Sequence, residues 1–123
     1  MTRRTLLSAS MARRRAEKLR APDAEYRDGD SVLVLRGAMT PKTRAAYREI
    51  TAGGGVREDA WQRSVEFLFE RLAVSWAVAG AEPLSRQKEL LARFRFASVE
   101  ERAWLRERMR THLAEHFPEL PPP

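Results

Sequence analysis

No cysteine occurs among the 123 residues, so neither disulfide staples nor thiolate chemistry is open to the chain. Lysine is scarce. Only Lys18, Lys42 and Lys88 accompany twenty arginines, a bias that reads as codon usage rather than as a need for guanidinium geometry. Long apolar runs are missing too, and no stretch nears the roughly 18 apolar residues of a membrane span. Leu6-Leu7 follows Arg3-Arg4, but the apolar run stops there and Arg13-Arg14-Arg15 comes next. That order predicts neither a secretory leader nor a twin-arginine export signal, and hence an intracellular protein.

What is present is a balanced body behind a basic arm. The net charge of +6 resides wholly in residues 1–20, where Arg3, Arg4, Arg13, Arg14, Arg15, Lys18 and Arg20 face Glu17 alone. Everything after residue 20 sums to zero. A polyanion would therefore meet the arm, for which these seven cations are the candidate contacts, rather than the folded domain. The acidic stretch Asp23, Glu25, Asp28, Asp30 follows within reach of the arm and screens part of it. With 43% hydrophobic and 33% charged residues, the chain has the composition of a packed, soluble globule of one domain.

Periodicity predicts a mainly α fold: a compact bundle of four to five helices with one short N-terminal β-strand or hairpin. Its divisions are a basic arm over 1–22, a single helical domain over 23–120, and an extended, exposed proline tail over 121–123. Residues 5–20 read as a short basic helix. The run Val32-Leu33-Val34-Leu35 behind the turn residues Asp28-Gly29-Asp30 reads as a strand, whose partner is either the segment around Tyr26 or a neighbouring copy. Thr40-Pro41 places a hydroxyl at the N-cap and proline at the first helical position. The longest predicted helix spans about 58–79 on the stripe Trp61, Val65, Leu68, Phe69, Leu72, Trp76. Phe67, Val74 and Val78 fall off that stripe, which widens its apolar surface and makes them the candidate partner-binding residues. Ser85 is the expected cap of the next helix, and Ser98-Val99-Glu100-Glu101 has the form of a capping box opening the last one.

Three patterns carry the letters of chemistry without its context. Gly53-Gly54-Gly55 lacks the Gly-Lys-Ser/Thr of a phosphate loop and reads as a hinge. His112-Leu-Ala-Glu115-His116 matches the H-x-x-E-H zinc spacing but has no third ligand, so two exposed histidines on a polar helix face are expected. Arg93-Phe94-Arg95-Phe96 interleaves cations and rings, and reads as core aromatics between solvated arginines. Glu66, Glu70, Glu100 and Glu101 form no acid–base pair. No catalytic, cofactor or metal residue is assigned on these grounds.

The order of the Val-Leu-Val-Leu-Arg-Gly strand, the Thr-Pro helix, Trp61 with Glu66-Phe67-Leu68-Phe69-Glu70-Arg71-Leu72 and Trp76, Gln87-Lys88-Glu89-Leu90-Leu91, and Ser98 to Phe117-Pro118 resembles tail assembly chaperones of long-tailed actinobacterial phages and prophages. The resemblance covers about residues 25–120. It implies a non-enzymatic virion morphogenesis protein, cytoplasmic in a bacterial host, that binds the tape-measure protein and tail-tube subunits and is compatible with a homo-oligomer. The alternative is a small nucleic-acid-associated protein anchored by its arginine-rich arm.

Deleting residues 1–20 is expected to abolish salt-sensitive binding to duplex DNA while leaving the thermal midpoint nearly unchanged. The check is the slope of log affinity against log salt, which falls by about 0.9 for each phosphate that is no longer neutralised. An undiminished slope would place the phosphate-binding groups in the body.

Overall fold

In the structure, a computed structural model, residues 21–53 and 60–123 are described. The predicted helix over 5–20, all seven arm cations and most of the triple glycine lie outside them. Along the chain come β1 (Ala24–Asp28), β2 (Ser31–Leu35), α1 (Pro41–Gly53), α2 (Ala60–Leu72), β3 (Ala73–Ala77), α3 (Gln87–Arg95) and α4 (Val99–His116). The strands form one antiparallel sheet in the order β1-β2-β3.

The hairpin realises the first of the two expected pairings. Tyr26 opposes Leu33, and Asp28 opposes Ser31 across a two-residue turn. Gly29 takes φ +58 at the first turn position, the arrangement of a type II′ turn whose twist suits the flanking strands. Alternation then sends Leu33 and Leu35, both without exposed surface, to the core, and leaves Val32 and Val34 half-buried. Gly37 follows at a close approach: a Cβ there would collide with the carbonyl oxygen of Pro22, so the segment entering β1 packs directly on the backbone leaving β2.

The largest departure from expectation lies at residues 58–79. The helix stops at Leu72, and the chain passes without a linker into β3, which pairs with the second edge of β2 through Leu33–Trp76 and Val34–Ser75. An irregularity between Val34 and Leu35 shifts the register, so that Leu35 opposes Ala73. The compact bundle with a single strand or hairpin is therefore corrected to four helices and a three-stranded sheet among the described residues. No glycine or proline ends the helix at this point. Instead Arg36 supplies the donors that a helix end lacks: its amide donates to the Leu72 carbonyl at 2.8 Å, and its guanidinium reaches the carbonyls of Arg71 and Ala73. The strand in turn satisfies an edge of β2 that a single hairpin would leave open.

Helix α2 is the hub of the core. Val65, Leu68, Phe69 and Leu72 recur at helical spacing and are fully buried, and the helix touches α1, α3 and α4. Phe69 meets Trp76 edge-on at 5.5 Å between ring centroids and lies 5.1 Å from Phe94, which joins helix, sheet and α3 in one aromatic cluster. Two of the expected caps form. The Thr40 hydroxyl accepts from the Thr43 amide, and Ser98 with Glu101 makes the full capping box. The expected Ser85 cap does not: Arg86 precedes α3 and no side chain caps it. The proline tail also differs from expectation. Pro121 and Pro122 are exposed, but Pro123 is buried, the Tyr47 hydroxyl donates to the Pro121 carbonyl at 2.6 Å, and Arg106 donates to that of Pro123.

Trp76→Ala is expected to cost about 3–5 kcal/mol in urea unfolding, because the ring is 2% exposed and central to the cluster. Trp61→Ala is expected to cost less, since Trp61 is only half-buried beneath the Arg106 guanidinium. Equal losses would contradict this placement.

Candidate binding surface

The H-x-x-E-H segment lies on α4, and the structure corrects its expected exposure. His112 has no exposed surface, His116 is half-buried, and Glu115 faces solvent. The reason is spacing: Leu105, Met109 and His112 stand at i, i+4 and i+7, so His112 occupies a slot in the buried stripe. That signal is present in the sequence and is stronger than the zinc pattern. Both ring nitrogens are used. The Arg36 carbonyl, 2.7 Å from Nε2, can only accept, so Nε2 carries the proton and Nδ1 accepts from the Tyr26 hydroxyl at 2.8 Å. A ring with both nitrogens so engaged has no lone pair to offer a metal, and among the described residues no group of three potential ligands comes together.

Burial lowers the His112 pKa from its usual 6.5; His116 adds to this, while the hydrogen bond to Arg36 and the charge of Glu115 oppose it. Burial likewise raises the Tyr26 pKa, with Glu115 adding to the effect, so the hydroxyl remains a donor. The three groups thus tie the last helix to both strands of the hairpin.

The residues singled out for partner binding do not share a helix face. Phe67 sits on α2, half-buried against the core, 6.3 Å from the Tyr47 ring and beneath the Arg71 guanidinium at 5.4 Å. Val74 lies in β3 at the register shift, and Val78 follows that strand and packs against the core. The break at Leu72 is what separates them.

The Arg93–Phe96 segment also divides. Phe94 is core, as expected, but Phe96 is 86% exposed and Val99, three residues on, is 82% exposed. Phe96 follows the last helical residue of α3, two positions beyond Phe94, and two helical steps carry it to the opposite side. The arginines are not free either. Arg93 hydrogen-bonds Glu101 and lies over the Trp76 ring, and Arg95 reaches Glu66 at 3.4 Å. Glu101 is partly buried, which opposes its ionisation, but the Ser98 amide and the Arg93 guanidinium outweigh this and hold its pKa below the usual carboxylate range. The exposed pair Phe96 and Val99, at the α3–α4 corner, is the candidate surface that sequence periodicity missed.

Comparison with protein-family models finds no match, and neither the curated proteins nor the solved structures yield a similar chain. Among the described residues, no helix is long and apolar enough to cross a membrane.

The depressed His112 pKa has a pH signature. The unfolded chain takes up a proton near pH 6.5 while the folded one resists it, so this contribution to stability is present above about pH 6.5 and lost as pH falls toward the folded value. Urea unfolding from pH 8 to 5 should show the wild type losing this contribution and His112→Gln, though less stable at pH 8, having a shallower slope. Parallel slopes would mean that His112 is not neutral in the fold.

Proposed function

We propose that the chain is a non-enzymatic protein-binding module that acts in phage or prophage tail morphogenesis as an assembly chaperone, escorting the tape-measure protein and tail-tube subunits. The tail reading rests on the sequence resemblance. The observation that carries the binding role is the exposed corner of Phe96 and Val99. A large aromatic ring and a branched aliphatic side chain left in water at a junction between two rigid helices are costly to the isolated molecule and useful to a complex. Phe67 and Val78 are packed against the core, so the proposed contact moves from the α2 face to this corner.

A second reading is favoured by one observation, the confinement of the net charge to residues 1–20. In that reading the arm holds a nucleic acid by nonspecific phosphate contacts while the body, with zero net charge, does not.

Phe96→Lys and Val99→Asp are expected to fold normally, since both positions are exposed, a cation suits the C-terminal end of α3 and an acidic residue suits the first turn of α4. Each should change stability by no more than about 0.5 kcal/mol. Size-exclusion mass with a co-expressed tape-measure segment should then show that the complex no longer forms. A folded variant that still forms it would remove the proposed contact.

A further inference from the structure

The sheet ends at β1, and among the described residues no strand lies beyond it. Its outer edge therefore offers backbone donors and acceptors to another strand. Which residues offer them follows from the hairpin. A two-residue turn is closed by a hydrogen-bonded pair, here Asp28 with Ser31, and such pairs recur at every second residue, so Asp28, Tyr26 and Ala24 turn their amides and carbonyls toward β2. Glu25 and Arg27 turn theirs outward, and neither set has a partner among the described residues. The opposite edge of the sheet is different: beyond β3, Trp76 exchanges both of its backbone hydrogen bonds with Leu84 at 2.9 Å.

Edge strands are commonly blunted by proline, by a bulge or by charges that repel a second copy. Residues 24–28 contain no proline, pair with β2 without irregularity, and carry outward side chains of opposite sign. Glu25 and Arg27 are both half exposed or more, and their ion pair at 2.9 Å is with each other. In an antiparallel, two-fold contact between two copies of this edge, the outward groups allow the axis to pass through residue 25, 26 or 27. An axis at Glu25 sets that glutamate against itself, and one at Arg27 sets two arginines face to face; both are repulsive. An axis at Tyr26 sets Glu25 of each copy against Arg27 of the other, and each such pair is of the kind that exchanges both N–H···O=C bonds. Charge thus selects one register.

We propose that the chain self-associates through β1, antiparallel and centred on Tyr26, to give a continuous sheet in the order β3-β2-β1-β1-β2-β3. The occupant of the edge is a second copy, because in this register the edge is complementary to itself in both hydrogen bonding and charge. A contact of one short strand belongs to the weak class that buries less than about 1,200 Å², so the dimer forms at high rather than trace concentration. It uses no residue of the Phe96 and Val99 corner and does not require the tail-assembly reading.

The test is sedimentation equilibrium of the full chain from about 10 μM to about 1 mM. The expected result is a weight-average mass rising from one chain toward two, with the Glu25 and Arg27 amides gaining protection from hydrogen exchange over the same range. Glu25→Arg and Arg27→Glu each set like charges against each other, and should weaken self-association about tenfold while leaving the thermal midpoint nearly unchanged. The charge-swapped double variant, Glu25→Arg with Arg27→Glu, keeps the net charge of +6 and should dimerise as the wild type does. An equimolar mixture of the two single variants should form a mixed dimer, since the cations of one copy then face the carboxylates of the other. A chain that stays monomeric throughout, or dimers that survive equally in both single variants, would overturn the proposal. So would protection of the two amides that does not vary with concentration, which would assign the edge to the chain's own residues 1–20.

Discussion

Strand β2 is the constraint on which the rest of the structure depends. Its two edges are both occupied, by β1 and β3, and its inward residues Leu33 and Leu35 have no exposed surface. The two strands arrive very differently. β1 comes through a two-residue turn and needs little loop-closure entropy, whereas β3 returns only after α1 and α2 have been inserted. That return is what seats α2 beside the sheet and brings Phe69 against Trp76. Loss of the β2–β3 pairing would free one strand edge, leave the end of α2 without its Arg36 donors and divide the aromatic cluster at once.

A polar link within this apolar frame sets where α4 lies. The Tyr26–His112–Arg36 chain satisfies every participating donor and acceptor, so a histidine that would be destabilising as an unpaired buried group instead joins the helix to the hairpin. The segment beyond α4 is held in the same way, by satisfied polar groups around apolar anchors. Phe117 and Leu120 are buried, Arg44 pairs with Glu119 and lies over the Phe117 ring, and Tyr47 donates to the Pro121 carbonyl.

The abundance of arginine acquires a structural sense that composition does not convey. Arg44, Arg71, Arg93, Arg102, Arg106 and Arg108 each lie within 6 Å of an aromatic ring centroid, and several donate to a carboxylate or carbonyl as well. A planar, forked cation can stack and hydrogen-bond together, which a lysine ammonium cannot. Codon usage alone does not account for that placement. These cations cover the half-buried faces of the core, while the net charge stays with residues 1–20.

Local physics made part of this legible in the sequence. The Asp28-Gly29-Asp30 turn, the Val32–Leu35 alternation, the Thr40-Pro41 helix start and the Ser98–Glu101 capping box depend on residues a few positions apart, and all appear where their chemistry puts them. His112 belongs to the same class, since its i+7 relation to Leu105 marks it as buried, although the five-letter metal pattern on the same turns points the other way. The small cavity walled by Trp76, Trp104, Asp28 and Glu100 was not legible, because elements distant in sequence create it, whereas the exposure of Phe96 follows locally from its two-residue offset from the buried Phe94. The change from helix to strand at Leu72 is the plainest case. Residues 73–78 are apolar enough to continue a helix or to form a strand, and their own propensity does not choose. The open edge of β2 and the donors of Arg36, nearly forty residues earlier, decide between them, because a backbone with two adequate local conformations adopts the one in which distant partners satisfy its hydrogen bonds.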